Sequence, residues 1–383
     1  MPLSSSGNHP AHMIPRFGAR IEKAGAIHLA VTIAIVLATL MAPVTGAHGG
    51  KCESANWISD VLGDVSGSEI INIVVGLESF GTRDFHTTSA TEAANYIHGI
   101  LSDMGISTHL QEFEVDGIVS ANVVAVLNPE LAEEGVYVIG AHYDSENSLV
   151  TNLSEAENIT APGADDNASG VGVMLEMARI LSGLDCELPT VKFVAFGAEE
   201  TGYDYSGGKS GSTEFAKSEV EAGVQCMGAF VLDMVGYRTT PQSRATIVSN
   251  SASDYLASSI VSTASELNLD IAFEIESNES IRYSDHSSFW IQGYPSVLMI
   301  EELSQPTLFP VNPYYHSSED TSDKLSEEQM VVVTKALIGA LLNLTGQGEL
   351  SYTPAYYGVV AAAAIIVTIM ILLLLLKRWK REI

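Results

Sequence analysis

The sequence predicts an α/β protein: a three-layer α/β/α sandwich around a mixed, mainly parallel central sheet, with a C-terminal transmembrane helix. Three observations predict it. Short β-rich apolar runs recur through the middle of the chain, amphipathic helical patterns alternate with them, and one charge-free stretch near the C-terminus is long enough to cross a bilayer. Continuous apolar runs mark strands buried on both faces, and such strands need a helix layer on each side.

The predicted strands are 121–127, 136–140, 191–196, 229–232 and 296–300. Between them, 89–104 carries Ala93, Ile97, Ile100 and Leu101 on one stripe, with Gly105 as a stop signal. Helical patterns follow at 170–184, 253–267 and 326–344, the last opening on Ser326 and Glu327 as an N-terminal signal. Residues 147–162 and the Gly/Ser-rich stretch 202–213 read as loops. No repeat and no low-complexity linker divides residues 48–350, so they form one domain.

Composition narrows the function. Of 383 residues, 46% are hydrophobic and 17% charged, which suits a packed core and excludes wholesale disorder. The chain has 18 Lys+Arg against 47 Asp+Glu, a net charge of −29; residues 48–376 alone hold 11 basic and 45 acidic side chains, net −34. A surface so negative repels phosphate backbones, so nucleic acid is not a partner. It suits a salty medium, where repulsion is screened. Cys52, Cys186 and Cys226 are too few for a disulfide framework, and no CxxC pair is present.

The two ends predict the side of a membrane. Residues 358–376 hold no charge and reach roughly 28 Å as a helix, enough to span. Tyr352, Tyr356 and Tyr357 precede them, and Lys377, Arg378, Lys380 and Arg381 follow, which places the C-terminus inside. Residues 24–42 are a second apolar run, behind Arg16, Arg20 and Lys23 and ahead of Thr45 and Ala47, which are spaced like a cleavage site. The expected organisation is therefore a signal peptide or N-terminal anchor (1–47), an extracellular domain (48–350), a stalk (351–357), a span (358–376) and a cytoplasmic basic tail (377–383). Sequons at Asn152, Asn158, Asn167, Asn278 and Asn343 are compatible with that side.

Polar residues cluster where the predicted strands run out. One strand leads to His142 and Asp144, another to Glu199 and Glu200, a third to Asp233; Asp165 and Asp166 stand just before a helix. Each pair alone is common on loops and at N-caps. Together they matter, because one sheet brings all of them to the rim where α/β folds bind ligands. Unpaired, so many carboxylates would repel, and a cation removes the conflict. Imidazole with carboxylates suits zinc, and an excess of carboxylates suits two metals sharing a ligand. A further imidazole is required; His286 and His316, both in polar loops, are equal candidates on sequence physics alone.

GAHYDS, PGADDNASG, FGAEETG, LDMVGY, YSDHSSFWIQGYPSVLMIE and YYHSSEDT resemble, in order, the motifs of the co-catalytic zinc aminopeptidases, which include bacterial leucyl aminopeptidases, aminopeptidase Y and, more distantly, glutamate carboxypeptidase II. The match runs from about Arg83 to Leu344. The resemblance implies two Zn2+ per chain: His142 and Asp233 on one, Glu200 and His316 on the other, with Asp165 bridging. It makes Glu199 the general base and Asp144 the carboxylate that orients His142, and leaves His286 beside the site without a metal. It also implies a cis peptide at Asp165–Asp166. The loop after Glu200 departs from the family's short GLLGS step, being longer and richer in Gly and Ser.

The implied activity is removal of N-terminal residues from peptides, with Tyr315 or Tyr283 as candidate oxyanion donors. An acidic rim attracts a free α-ammonium group, whereas a carboxypeptidase needs a cationic clamp, for which only Arg238 and Arg282 lie next to a motif. Other readings are a carboxypeptidase of the same family, a glutaminyl cyclase sharing the fold with a single zinc, and a receptor-like membrane protein that has lost its metal ligands. The full ligand set argues against the last two.

Overall fold

A computed structural model describes residues 57–149, 153–185, 188–200, 209–305 and 307–346. The expected N-terminal segment (1–47), stalk, span and basic tail lie outside them. No helix among the described residues is long and apolar enough to cross a membrane.

The chain enters through α1 (Trp57–Gly63), α2 (Gly67–Glu78) and α3 (Thr88–Asp103), the last ended by Gly105 at φ +78°. A hairpin of β1 (Ser107–Val115) and β2 (Ile118–Leu127) leads into β3 (Val136–His142). After a loop come α4 (Gly170–Ser182), β4 (Thr190–Phe196), α5 (Ser210–Glu221) and β5 (Cys226–Asp233). Then follow β6 (Ser243–Ser249), α6 (Asp254–Glu266), β7 (Ile271–Ser277), α7 (His286–Ile291) and β8 (Ser296–Ile300). The short pair β9 (Leu303–Ser304) and β10 (Phe309–Pro310) precedes α8 (Glu327–Leu344). Ser326 caps α8 by accepting from the Gln329 amide, with Glu327 and Glu328 in the first turn, as its sequence signal predicts.

Eight strands form one sheet in the order β1-β2-β4-β3-β5-β8-β6-β7. Its centre, β4-β3-β5-β8, is parallel; β1 and β2 join antiparallel at one edge, and β6 meets β8 antiparallel before pairing in parallel with β7. This is the mixed, mostly parallel sheet expected. The five predicted strands are β2, β3, β4, β5 and β8. Missed were β1, β6, β7 and the short pair β9 and β10, and helices α1, α2, α5 and α7; part of the predicted loop 202–213 is helical, since α5 starts at Ser210.

Alternation along the central strands builds two cores. Ile139, Phe193 and Phe230 face one side, against α1–α4, α6 and α8. Val138, Val194 and Val231 face the other, against Phe215 of α5 and Phe289 of α7. Burying both faces sends the polar residues that follow β3, β4 and β5 to the sheet's carboxyl edge. The sequon at Asn167 is buried: its amide donates to the Leu232 carbonyl and accepts from Gly170 and Met234, so the folded domain has no glycan there.

Candidate metal centre

His142 closes β3, Glu199 and Glu200 lie beyond β4, and Asp233 closes β5. Asp166 comes from the turn Ala164–Ser169 ahead of α4, and His316 from the loop after β10. Left-handed backbone aims three of these segments: Ala198 at φ +56°, Met234 at +51° and His316 itself at +52°. Such conformations are costly for residues with a Cβ and tend to cluster at sites.

Asp166 bridges the two imidazoles. Its Oδ1 is 3.3 Å from His142 Nε2 and its Oδ2 is 3.1 Å from His316 Nε2. Asp233 Oδ1 joins the first side at 3.5 Å from His142 Nε2, and Glu200 Oε2 the second at 3.1 Å from His316 Nε2. His142, Asp166 and Asp233 each offer an atom within 4.8 Å of the others; so do His142, Glu199 and Glu200, and Glu146, Glu200 and His316.

This corrects one expected ligand. Asp165 points away: its Oδ1 accepts from the Gly236 and Tyr237 amides at 2.8 and 3.2 Å, and its Oδ2 from Asn312 at 2.8 Å. The cis peptide is likewise one bond later, at Asp166–Asn167. Asp320 holds the turn, accepting from the Asp165 and Asp166 amides at 2.9 and 3.0 Å. Gly163, at φ +50°, has no room for a Cβ, which would run into the Asp166 carbonyl oxygen and Ser145.

Asp144 lies beside His142, but the imidazole Nδ1 is nearer its backbone carbonyl, at 3.2 Å, than its carboxylate, at 3.6 Å. The carboxylate instead accepts from the Glu199 and Glu200 amides at 3.1 and 3.0 Å. It therefore positions both glutamates as well as facing the histidine. Between the two candidate imidazoles, the structure brings His316 into the cluster. His286 is buried, with Nε2 2.9 Å from the Ile281 carbonyl and its ring edge-on to Trp290. Burial pushes it down to about 4.

Three contributors escape the sequence patterns. Arg83, fully buried, donates to the carbonyls of Leu77, Tyr143, Pro162 and Gly163, and so ties α2 to the two loops that carry Asp144 and Asp166. Lys209 Nζ lies 2.8 Å from Glu199 Oε1. Glu146 Oε1 stands 3.9 Å from His316 Nδ1. The signal for Lys209 was its position within the unusual loop; the others had none.

The charge balance tests whether cations fit. Burial raises Glu200 well above the carboxylate range, and Asp166 and Glu199 beside it raise it further. Burial lowers His142, yet Glu199, Asp144, Asp166 and Asp233 outweigh it and hold the imidazole well above its ordinary value. His316 is driven up to about 11, burial being overcome by Glu200 and Asp166. Glu199 rises to about 6 through burial, against the pull of Lys209 and His142. Glu199 and Glu200 resist ionising, the two imidazoles hold Asp166 in its ionised form, and the imidazoles themselves are drawn into cationic form, so the cluster is short of positive charge. Imidazole nitrogens and carboxylate oxygens are the donors zinc takes. The residues fit such ions.

The cluster floors a cavity of about 210 Å³ whose wall includes Met234, Tyr283, Ile300, Phe309 and Tyr315. Tyr315 stacks on His316, with centroids 3.8 Å apart, while the Tyr283 hydroxyl donates to the Leu308 carbonyl at 3.2 Å. Arg238 pairs with Glu328, and Arg282 donates to the Glu279 carbonyl; neither lines the cavity.

A mixed sheet between two helix layers, with imidazoles and carboxylates converging at its carboxyl edge, defines an α/β protein with a candidate metal site. The family comparison makes this specific. Residues 122–341 match the model of peptidase family M28, and the chain belongs to that family. It is 26% identical over 306 residues to the probable aminopeptidase YDR415C of Saccharomyces cerevisiae, covering 75% of each chain. Among solved structures it resembles BSAP, a zinc aminopeptidase from Bacillus subtilis (TM-score 0.60, 18% identity, 73% of this chain and 95% of that one). It also resembles Porphyromonas gingivalis glutaminyl cyclase (TM-score 0.61, 24% identity, 73% and 99%). At these identities the structural likenesses show the fold.

Proposed function

We propose that this chain is a zinc-dependent aminopeptidase that removes N-terminal residues from peptides, working outside the cytoplasm and anchored by residues 358–376. The observation that carries the reading is the Asp166 carboxylate, one oxygen facing His142 and the other His316. That arrangement supports two zinc ions sharing Asp166, with His142 and Asp233 completing one set and His316 and Glu200 the other. When bound, the ions supply Lewis-acid activation of water and of the scissile carbonyl.

The chain's own groups do the rest. Glu199 takes the proton of the attacking water and returns it to the departing amine, which suits a buried carboxyl raised to about 6. Asp144 fixes the backbone of Glu199 and Glu200, so base and ligand keep their separate directions. The carboxylates around the cavity attract a free α-ammonium group. Met234, Ile300 and Phe309 offer an apolar wall for the N-terminal side chain. Arg238 and Arg282 stand away from the cavity, so they provide no clamp for a C-terminal carboxylate.

The test compares a leucyl anilide with its N-acetylated form, using the zinc-loaded enzyme. Cleavage of the free amine alone supports the reading. Equal cleavage of both, or cleavage only of peptides at a free C-terminus, overturns it.

A further inference from the structure

Glu199 is held twice. Its amide donates to Asp144, and its carboxylate is bound to an ammonium from the residue that precedes α5. Lys209 Nζ stands 2.8 Å from Glu199 Oε1, and the two side chains are 8% and 3% exposed. Lys209 is the residue just ahead of α5, and its own backbone is anchored: the Lys209 amide donates to Ser288 Oγ of α7 at 3.1 Å, and its carbonyl accepts from the Thr213 amide at 2.8 Å. Ser212 Oγ closes the junction, donating to Ser288 Oγ at 2.8 Å. The lysine thus transmits the packing of α5 against α7 to one carboxylate oxygen in the cavity.

We propose that Lys209 is a positioning residue for Glu199: it ties Oε1 and so presents the second carboxylate oxygen to the water that attacks the substrate. The inference rests on the reading of Glu199 as general base. A glutamate side chain has three rotatable bonds, and a base displaced by about 1 Å loses of the order of 100-fold in rate. Nothing else described on the Glu199 side chain fixes its direction, since Asp144 holds only the backbone. A charge-assisted hydrogen bond between buried partners is strong and directional enough to do so.

The experiment uses the full-length, zinc-loaded chain and a leucyl anilide. Lys209→Met lowers kcat by roughly 10- to 100-fold, with KM and the zinc content per chain unchanged. Lys209→Arg restores most of kcat, because a guanidinium can hold the same oxygen. In a Glu199→Gln background, Lys209→Met causes no further loss, because the effect runs through Glu199. Should the methionine variant not fold, Lys209→Gln carries the comparison, with a reduced kcat at unchanged KM expected. A wild-type kcat in Lys209→Met or Lys209→Gln, or an equal loss from Lys209→Met in the Glu199→Gln background, overturns the proposal. Full turnover in Glu199→Gln alone is a separate outcome: it overturns the general-base reading itself.

Discussion

Asp165 and Asp166 are adjacent in the chain and serve opposite sides of one turn. Asp166 faces the imidazoles of His142 and His316, whereas Asp165 is spent on the Gly236 and Tyr237 amides and on Asn312. One carboxylate faces the candidate metal site and the other belongs to the scaffold that holds β5's exit loop against the turn.

Exchange at the two positions therefore has different consequences. Asp166→Asn folds, binds fewer zinc ions than wild type, and loses more than ~100-fold in turnover. Asp165→Asn sets an amide against the Asn312 amide and weakens acceptance of two backbone donors, at about 1–3 kcal/mol. It lowers the melting temperature while zinc content stays at the wild-type level. Metal analysis and thermal melts of both variants check the pair.

Glu199→Gln keeps the side chain's shape and the proposed metal donors while removing the carboxylate proposed as proton acceptor. Turnover falls by roughly 10²- to 10⁴-fold with zinc content unchanged. Glu200→Gln, by contrast, lowers zinc content as well as turnover. Steady-state kinetics alongside metal analysis separate the two.

Asp144→Ala releases the amides of both glutamates at once. We expect kcat to drop ~10- to 100-fold and zinc affinity to weaken together, since one carboxylate holds the backbone of both the proposed base and the proposed ligand. Competition with a coloured chelator reads the affinity independently of activity.

His286 makes stability depend on pH. It is buried neutral, pushed down to about 4 from the ordinary 6.5. A histidine with a depressed folded pKa contributes its full stability above about 6.5; the contribution falls as pH drops and levels off below about 4. The swing is as much as roughly 3 kcal/mol at about 1.4 kcal/mol per unit. Wild type compared with His286→Gln in denaturant titrations at pH 7 and pH 4.5 checks this: the difference between them shrinks at the lower pH.

The parts of the fold visible in sequence are those with a single physical cause. Strands β2–β5 and β8 are largely buried on both faces, so each carries a mainly apolar run, interrupted by Asn122 in β2 and Lys192 in β4. Strands β1 and β7 lie at the sheet edges and β6 beside one, and STHLQEFEV or IAFEIES mixes polar with apolar residues because one face meets solvent. At the site, His142, Glu199, Glu200 and Asp233 follow directly from strand ends. The choice within Asp165–Asp166 does not, because the turn leaves helical geometry at Asp166 (φ −108°, ψ 87°) and no residue pattern announces which carboxylate it turns inward. Lys209 hid in a stretch read as loop, where only the start of α5 gives it a fixed direction.

The most direct test of the account is recovery of activity as zinc is returned stepwise to the metal-free enzyme, followed with a leucyl anilide. The account predicts no turnover without metal and a plateau at two zinc ions per chain, absent in Asp166→Asn. Turnover that survives complete removal of metal, or a plateau at one ion per chain, would contradict it.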